Sequence, residues 1–243
     1  MIDELSIIIP ALCEEKYLSQ TLQSITQQDY QGKLEVIVVD GESKDNTLKI
    51  AGEFKDKIKD LNIVTTIKGI SHQRNIGATK AKYKFLMFLD ADTYLPKNFL
   101  SKITKKINPN ENFLGQPMLL PMDGNFMDYL YVFVAYLVIF LMSFFKPIVA
   151  GMCFLTTQEN HQKINGFNEK VVYAEDVDYG FRSVKNHTKY HLYLNCYLFT
   201  STRRGKQLGR TKLSLTWIRW YFDYFMHGPL TDESKYNYPF GNH

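Results

Sequence analysis

Apolar runs alternate with amphipathic segments through the first half of the chain. Four runs are nearly continuous and end at polar or turn residues, as buried strands do, and they lie at 5–10, 34–39, 62–67 and 85–89. Between them, helical spacing predicts helices over 15–28, from Asp45 or Asn46 onward, and over 71–82, the last capped by Ser71. This order predicts an α/β fold with a mainly parallel sheet and right-handed crossovers.

The second half has a different pattern. Residues 126–145 are apolar apart from Asp128, and residues 213–226 are rich in aromatic side chains. Strands are predicted over 113–120, 150–157 and 190–200, with helices that begin at Pro96 and near Glu175. We therefore expect one α/β domain over 1–205, which includes an apolar helix over 124–147, followed by an amphipathic aromatic helix and tail over 206–243.

Composition and charge set only broad limits on the number of domains and on the partners of the chain. A chain of 243 residues fits one large domain or two small ones. The net charge of +4 is compatible with a phosphorylated substrate or an anionic membrane surface, and no nucleic-acid partner is expected. The three cysteines are far apart in sequence, which argues against a zinc site or a disulfide framework. The acidic first residues run directly into a strand, so no secretory signal is expected.

Two carboxylates follow the fourth predicted strand. Asp90 and Asp92 stand at i and i+2 beyond it, at the edge where open α/β sheets bind ligands. One or two carboxylates, together with a substrate diphosphate, suit a hard divalent cation. A solvated turn is the alternative. The same edge is expected to collect Pro10, Asp40 and the 71–75 region.

Four motifs, in order, resemble the family 2 glycosyltransferases with a GT-A fold. Residues 10–15, Pro-Ala-Leu-Cys-Glu-Glu, resemble the opening signature of that family, with Cys13 where asparagine is usual. Residues 38–47 resemble its nucleotide-binding loop, and Asp-Ala-Asp at 90–92 its DxD motif. Residues 174–182 resemble its acceptor motif and follow a Gly-Phe-Asn-Glu turn. The resemblance covers residues 4–204 and implies a Rossmann-like GT-A domain that uses a nucleotide-sugar donor.

The resemblance also implies roles on the donor side. Asp92 would hold the divalent metal, Mg²⁺ or Mn²⁺, and Asp90 would contact the metal or the nucleotide ribose. Arg74 can reach the base or the phosphates, or it is a solvated helix cation. The remaining expected nucleotide contacts are Pro10, Ala11, Glu14 and Asp40.

Two of these acids allow a physical argument. A carboxylate accepts hydrogen bonds, so Asp40 suits the ring N–H of uracil. Glu14 is either a ligand contact or a helix-start carboxylate stabilised by the helix dipole.

The acceptor motif supplies a candidate general base. The resemblance assigns that role to Asp176, with Glu175 orienting it or contacting the acceptor. Asp178 is a rival base, but side chains at i and i+2 of a helix diverge by about 200°, so Asp176 and Asp178 cannot both face the pocket. The alternative is that all three acids only stabilise the first turn of a helix.

Basic residues follow the last predicted strand. Many relatives carry a Gln-x-x-Arg-Trp motif in this region, whose arginine meets the diphosphate, and this chain lacks that glutamine. Arg203 and Arg204 are plausible replacements for the arginine of that motif, since one guanidinium group can donate two parallel hydrogen bonds to a phosphate. A surface basic run is the alternative. The run Ile-Arg-Trp at 218–220 looks closer to the motif but lies in the aromatic helix.

The apolar segment raises the question of a membrane. Residues 126–145 are long enough to span a bilayer, but one span would place Asp92 and Asp176 on opposite sides. We therefore expect the segment to lie in the interface or in a groove, or to enter and leave on one face, with a core helix as the alternative. Aromatic and basic residues over 206–226 suit a headgroup region. A peripheral or monotopic enzyme on the cytoplasmic face of the membrane is predicted.

Together these observations predict an inverting, metal-dependent transfer from a UDP-sugar to a hydroxyl acceptor that is lipid or lipid-linked. A sugar-phosphate nucleotidyltransferase is one rival, but the loop at 10–15 lacks the glycines that such enzymes use. A catalytically degenerate, membrane-associated nucleotide-sugar-binding module is another. The retained acidic motifs argue against that module, whereas Cys13 and the missing glutamine leave it open.

Overall fold

One eight-stranded sheet forms the centre of the molecule. The computed structural model describes residues 2–143 and 148–232, apart from the side chains at 142, 143, 204 and 210. The strands are β1 (Glu4–Ala11), β2 (Lys33–Asp40), β3 (Leu61–Thr65), β4 (Phe85–Leu89), β5 (Thr93–Tyr94), β6 (Phe113–Pro121), β7 (Cys153–Thr157) and β8 (Lys189–Thr200). Their order across the sheet is β3-β2-β1-β4-β7-β6-β8-β5.

The sheet is parallel in its first half and mixed in its second. Four of the seven neighbouring pairs are parallel, namely β1 with β2, β1 with β4, β2 with β3, and β6 with β8. Strand β7 runs antiparallel to both neighbours, and β5 antiparallel to β8. The β-α-β units therefore form the predicted parallel part of the sheet. After β4, the antiparallel strand β7 makes the sheet mixed.

Helices cover the sheet and extend beyond it. They are α1 (Leu18–Thr26), α2 (Thr47–Gly52), α3 (Ile70–Lys80), α4 (Phe99–Thr104), α5 (Phe126–Ser143), α6 (Gln158–Lys163), α7 (Glu175–Lys185), α8 (Arg203–Leu208) and α9 (Arg210–His227).

Several predicted helix starts are wrong by a few residues. The N-cap of α3 is Gly69, and Ser71 lies buried in the first turn, where its hydroxyl has no hydrogen-bond partner among the described residues. A helix predicted from Pro96 begins at Phe99, after the turn in which the Phe99 N–H bonds the Pro96 carbonyl. Residues 96–98 therefore form a turn before α4, and Pro96 is not its first residue.

The core has two layers, one on each face of the sheet. Successive strand residues point to opposite faces, so Ile7 and Ile9 pack towards α1 while Ile8 packs towards α3. Helix α3 lies unusually close to β1, because a Cβ on Gly77 would stand 2.3 Å from Ile8 Cγ2. This close packing fixes α3 beside the carboxyl ends of β1 and β2.

The apolar helix α5 packs on β6 through tyrosine hydroxyls. Tyr136 accepts a hydrogen bond from the Leu119 N–H at 2.7 Å and donates to the Pro117 carbonyl at 3.0 Å. Ser214 of α9 donates to the Tyr131 hydroxyl at 2.7 Å, which joins the two long helices. Over 2–143 and 148–232, no helix is both long and apolar enough to cross a membrane. The end of the predicted apolar segment, 144–147, lies outside the described residues.

Candidate active site

The carboxyl ends of β1, β2 and β4 form one edge of the sheet, as predicted. Ala11 at the end of β1 pairs in register with Asp40 at the end of β2. Gln73 of α3 locks these ends together, because its amide donates to the carbonyls of Ala11 at 2.8 Å and Val39 at 2.7 Å. The expected donor contacts Pro10, Ala11 and Asp40 are therefore held in one rigid corner.

Asp40 has an unsatisfied oxygen in that corner. Its side chain is buried, and Oδ2 accepts the Ser43 N–H at 3.0 Å. Oδ1 has no hydrogen-bond partner in the part of the chain that the structure describes. Leaving a buried acceptor unpaired costs about 1–3 kcal/mol, so the arrangement is suited to a ligand that donates a hydrogen bond there.

Arg203 brings together two of the expected donor-site acids. Its guanidinium makes a bidentate contact with Glu14, with nitrogen–oxygen distances of 2.8 and 2.5 Å. Its Nε lies 3.2 Å from Oδ2 of Asp92, and the guanidinium carbon stands 4.8 Å from the centre of the Tyr17 ring. Arg203 therefore lies inside the acidic site and is not part of a surface basic run. The side chain of Arg204, the other predicted diphosphate contact, lies outside the described residues.

Arg74 forms a second bridge, between the two acidic motifs. Its guanidinium donates to Asp90 Oδ1 at 3.0 Å, to Glu175 Oε1 at 2.9 Å and to the Gly151 carbonyl at 2.9 Å. Only 1% of the side chain is exposed, so the solvated-cation interpretation is wrong. The position also suits holding the acids better than reaching a base or phosphate directly.

Asp176 is fixed next to this bridge. Its Oδ2 accepts the Gly151 N–H at 2.6 Å, and its Oδ1 accepts the N–H of Val177. Burial and then the charge of Glu175 raise the pKa of Asp176 to about 7, although Arg74 acts in the opposite direction. A carboxylate with a pKa near neutrality is suited to accept a proton at physiological pH.

Asp178 points away from Asp176, as helix geometry requires. It is buried, and its Oδ2 pairs with Arg182 at 2.7 Å. The hydroxyl of Tyr224 on α9 donates to its Oδ1 at 2.8 Å. Asp178 therefore belongs to the contact between α7 and α9, which argues against its role as the rival base.

Asp90 and Asp92 are the two carboxylates that could face a metal. Over the described ranges, no group of three or more histidine, cysteine, aspartate or glutamate side chains could hold an ion. Asp90 is paired with Arg74, and Asp92 with Arg203. Mg²⁺ sites in nucleotide-using enzymes commonly take one or two carboxylates and complete their shell with phosphate oxygens and water. The donor set fits such a shared site.

A cavity of about 240 Å³ opens beside Arg203. Its lining residues are Tyr17, Met122, Asp123, Ser201, Arg203 and Lys206. Thr202 donates to Asp123 at 2.7 Å, and Lys206 pairs with the same carboxylate. The start of α8 is therefore tied to the segment after β6, beside Arg203.

Comparison with known proteins identifies the family. Residues 6–173 match the family model described as glycosyl transferase family 2, which is more than half of the 243-residue chain. The chain belongs to glycosyl transferase family 2. This membership argues against the nucleotidyltransferase interpretation.

Curated relatives match about half of the chain. Poly(ribitol-phosphate) β-N-acetylglucosaminyltransferase TarS of Staphylococcus aureus is 31% identical over 122 residues, which are 49% of this chain and 21% of TarS. GalNAc(5)-diNAcBac-PP-undecaprenol β-1,3-glucosyltransferase of Campylobacter jejuni is 30% identical over 125 residues, 50% of this chain and 40% of that enzyme. The chain thus spans less than half the length of these two relatives.

Solved structures share the GT-A fold. TarS 1–349 in complex with UDP-GlcNAc superposes with a TM-score of 0.65 and 20% identity, covering 82% of this chain and 58% of that one. The mannosyltransferase PcManGT of Pyrobaculum calidifontis, in complex with GDP-Man and Mn²⁺, superposes with a TM-score of 0.68 and 22% identity. The match covers 82% of this chain and 56% of that one. The GT-A fold predicted from the motifs is confirmed.

Three positions in this family 2 site carried no strong signal in the sequence. Gly151 supplies both the N–H to Asp176 and the carbonyl to Arg74, and its Cβ would lie 3.0 Å from Asp176 Oδ2. A glycine inside the predicted strand 150–157 was the available sign of such a close approach. Gln73 and Tyr224 act only through residues distant in sequence, so no local pattern marks them.

Proposed function

We propose that this chain transfers a sugar, with inversion at the anomeric carbon, from a UDP-sugar to a hydroxyl group of an acceptor. The observation that carries the proposal is the bridge made by Arg74 between Asp90 of the DxD motif and Glu175 of the acceptor motif. One side chain contacts both motifs. A donor held by the first and an acceptor held by the second would therefore lie within reach of each other, which is the main requirement for displacement.

Asp176 is the proposed general base. In this scheme the acceptor hydroxyl gives its proton to Asp176 while its oxygen bonds to the anomeric carbon. The bond from that carbon to the diphosphate oxygen breaks in the same displacement, which inverts the configuration. The pKa of about 7 supports the role, since the group is ionised near neutral pH yet basic enough to take the proton. Glu175, held by Arg74, would orient Asp176 or contact the acceptor.

The nucleotide would bind at the corner formed by β1 and β2. The unpaired Oδ1 of Asp40 suits the ring N–H of uracil, with Pro10 and Ala11 beside it. Because TarS was solved with UDP-GlcNAc and PcManGT with GDP-Man, guanine is the alternative base. Arg203 would pair with the diphosphate, and Arg204 is proposed to assist it.

A divalent metal, Mg²⁺ or Mn²⁺, would be held by Asp92, with Asp90 nearby. When bound, it would supply positive charge to the leaving diphosphate. The Mn²⁺ complex of PcManGT supports this assignment by analogy.

The acceptor is proposed to be lipid or lipid-linked, reached at the cytoplasmic face of a membrane. Helices α5 and α9 are joined by a hydrogen bond and expose large apolar side chains, including Phe133, Leu137, Leu215 and Ile218. Lys206, Lys212 and Arg219 adjoin them in sequence, which suits anionic headgroups. The undecaprenol-linked acceptor in the name of the Campylobacter relative is consistent with this assignment.

Two substitutions test the catalytic proposal. Asp176→Asn should lower kcat by about 10²- to 10⁴-fold, the usual contribution of a general base, while UDP binding is retained. Asp92→Ala should abolish metal-dependent transfer. The control is Glu159→Gln, an exposed acid on α6, which should leave turnover unchanged. Assays would use UDP-, GDP- and dTDP-sugars with Mn²⁺ and a lipid-linked sugar acceptor that presents free hydroxyl groups. Full turnover by Asp176→Asn would remove that residue from the role of base.

A binding module without turnover is the second candidate. The pairing of both DxD acids with arginines favours it, because a metal would have to compete with an arginine at each carboxylate. Calorimetry distinguishes the two candidates. A module would bind the UDP-sugar and leave it intact. An enzyme would cleave it and release UDP, either when acceptor is added or slowly by hydrolysis.

A further inference from the structure

The acidic site already holds a cation of its own. Glu14 comes from the turn after β1 and Asp92 from the turn after β4, and Arg203 reaches both from the start of α8. All three side chains are at least 89% buried, since Arg203 is 11%, Glu14 10% and Asp92 9% exposed. Such a contact is much stronger than an exposed ion pair, because little water screens it.

The guanidinium and a metal would compete for the same carboxylate. A Mg²⁺ ligand oxygen must approach the ion to about 2.1 Å, inside the space beside Oδ2 of Asp92 that Arg203 Nε now fills. Two cations at one carboxylate also repel each other. At Oδ2 of Asp92, a metal and the Arg203 guanidinium therefore exclude each other.

Arg203 has another partner available once a donor is bound. Guanidinium groups pair with phosphate oxygens as well as with carboxylates, in the same bidentate geometry. The cavity of about 240 Å³ beside Arg203 gives its side chain room to turn without repacking the core. The guanidinium would therefore be paired in both states of the protein, with carboxylates when the donor is absent and with the diphosphate when it is bound.

We propose that Arg203 is a latch on the metal site, and this inference rests on the proposed function. In the donor-free protein, Arg203 holds Glu14 and Asp92 and keeps the affinity for free metal low. When the metal and the diphosphate bind together, Arg203 leaves Asp92 and pairs with the diphosphate. Metal and donor binding are thereby coupled, and free Mn²⁺ does not occupy the site unproductively.

The latch predicts opposite effects of one substitution on two ligands. Arg203→Gln should bind free Mn²⁺ about tenfold more tightly than the wild type, a size typical of coupling between two sites. The same variant should bind UDP more weakly, because it lacks the phosphate partner. Arg203→Lys, which keeps the charge, should leave Mn²⁺ affinity close to wild type. Lys206→Gln removes an exposed cation from the same helix and is the matched control for Mn²⁺ affinity.

Mn²⁺ binding is measured by electron paramagnetic resonance of the free ion without nucleotide, and UDP binding by calorimetry without metal. Asp92→Asn in the Arg203→Gln background should remove the gained Mn²⁺ affinity. Unchanged or weaker Mn²⁺ binding by Arg203→Gln, with near-ultraviolet circular dichroism like the wild type, overturns the latch. Failure of the proposed function is a separate result. If the wild type transfers sugar but Arg203→Gln binds Mn²⁺ no more tightly, only the latch is wrong. If the wild type transfers no sugar but Arg203→Gln binds Mn²⁺ more tightly, the latch holds and the proposed function fails.

Discussion

Cys13 and Ala174, each directly before an acid of the site, adopt backbone conformations that their side chains disfavour. Cys13 has a φ of 54° and Ala174 a φ of 57°, both in the left-handed region. Cys13 directly precedes Glu14, and Ala174 is the N-cap of α7, directly before Glu175. A non-glycine residue there costs about 1–2 kcal/mol, and asparagine is among the few that tolerate it. The strain lies where each loop must aim an acid into the site.

Replacement of Cys13 by asparagine should therefore stabilise the protein. The family signature usually has asparagine at this position. Cys13→Asn should raise the free energy of unfolding by about 0.5–1 kcal/mol, because its short amide side chain tolerates positive φ. Urea denaturation measures the change. Cys13→Ala is the control, since it removes the thiol without relieving the backbone. Equal stability of the two variants would contradict the explanation.

Asp176 should control how activity depends on pH. Its pKa is raised to about 7, so the base form is lost as the pH falls through that value. The kcat/KM should therefore rise with pH to a midpoint near 7 and level off above it. Binding of UDP should lack this transition in both the wild type and Asp176→Asn, because Asp176 acts on the acceptor and not on the nucleotide. A limb with its midpoint near the ordinary aspartate value, about 4, would argue against the assignment.

At the scale of elements, α9 packs against α7 and the residues directly before it. Its inner face places the Trp220 ring 4.9 Å from that of Tyr173, and stacks Tyr224 on Phe181 at 5.2 Å. The Tyr224 hydroxyl also reaches the buried Asp178. The other face of α9 carries Leu215, Ile218 and Phe222, which are exposed. One helix thus has two apolar faces, and only the inner one packs on the acceptor motif.

The two faces of α9 should differ in their effect on stability. Trp220→Ala should lower the free energy of unfolding by about 3 kcal/mol, as expected for a buried aromatic residue. Tyr224→Phe should cost about 1–2 kcal/mol, because a buried carboxylate loses its hydrogen bond. Ile218→Ala on the exposed face should change it by less than about 0.5 kcal/mol. Thermal unfolding of the three variants tests this order, and equal losses would show that α9 does not pack as described.

At the scale of the whole molecule, the long helices α5 and α9 are tied to each other and to the acceptor motif. Tyr131 and Ser214 join the helices, and Trp220 joins α9 to the acceptor region. A membrane that covers their exposed faces would bring a lipid-linked acceptor towards Asp176. The proposed surface location and the proposed chemistry therefore depend on the same arrangement of helices.

Vesicle binding tests the surface location. The protein should sediment with vesicles that contain anionic phospholipid, and less with neutral ones, because Lys212 and Arg219 lie beside the apolar face. The double variant Leu215→Glu, Ile218→Glu should lose most of the binding. Leu194→Glu on β8, where the side chain is 45% exposed, is the matched control and should bind like the wild type. Equal binding of the two variants to anionic vesicles would contradict the proposed membrane-binding face.

The sequence supported the prediction of the β-α-β order, the sheet edge at Asp40 and Asp90, and the family. These depend on local patterns, because apolar runs and strand ends are read within a few residues. The strand at β7 was predicted, but its reversed direction was not, since pairing direction depends on distant segments. The strand β5 was missed because two residues are too few to show a periodic pattern. The same limit applies to Arg74, which was assigned to the donor but bridges residues 16 and 101 positions away.

The amino-acid sequence by itself determined that Asp90 and Asp92 follow a buried strand and that Asp176 stands near the start of a helix, because hydrophobic periodicity is a property of the linear chain. Only the tertiary structure decided their partners. Arg203 meets Glu14 across 189 positions of sequence, and Tyr224 meets Asp178 across 46. Charges act through space and not along the chain, so packing decides which carboxylate pairs with an arginine and which one has its pKa raised.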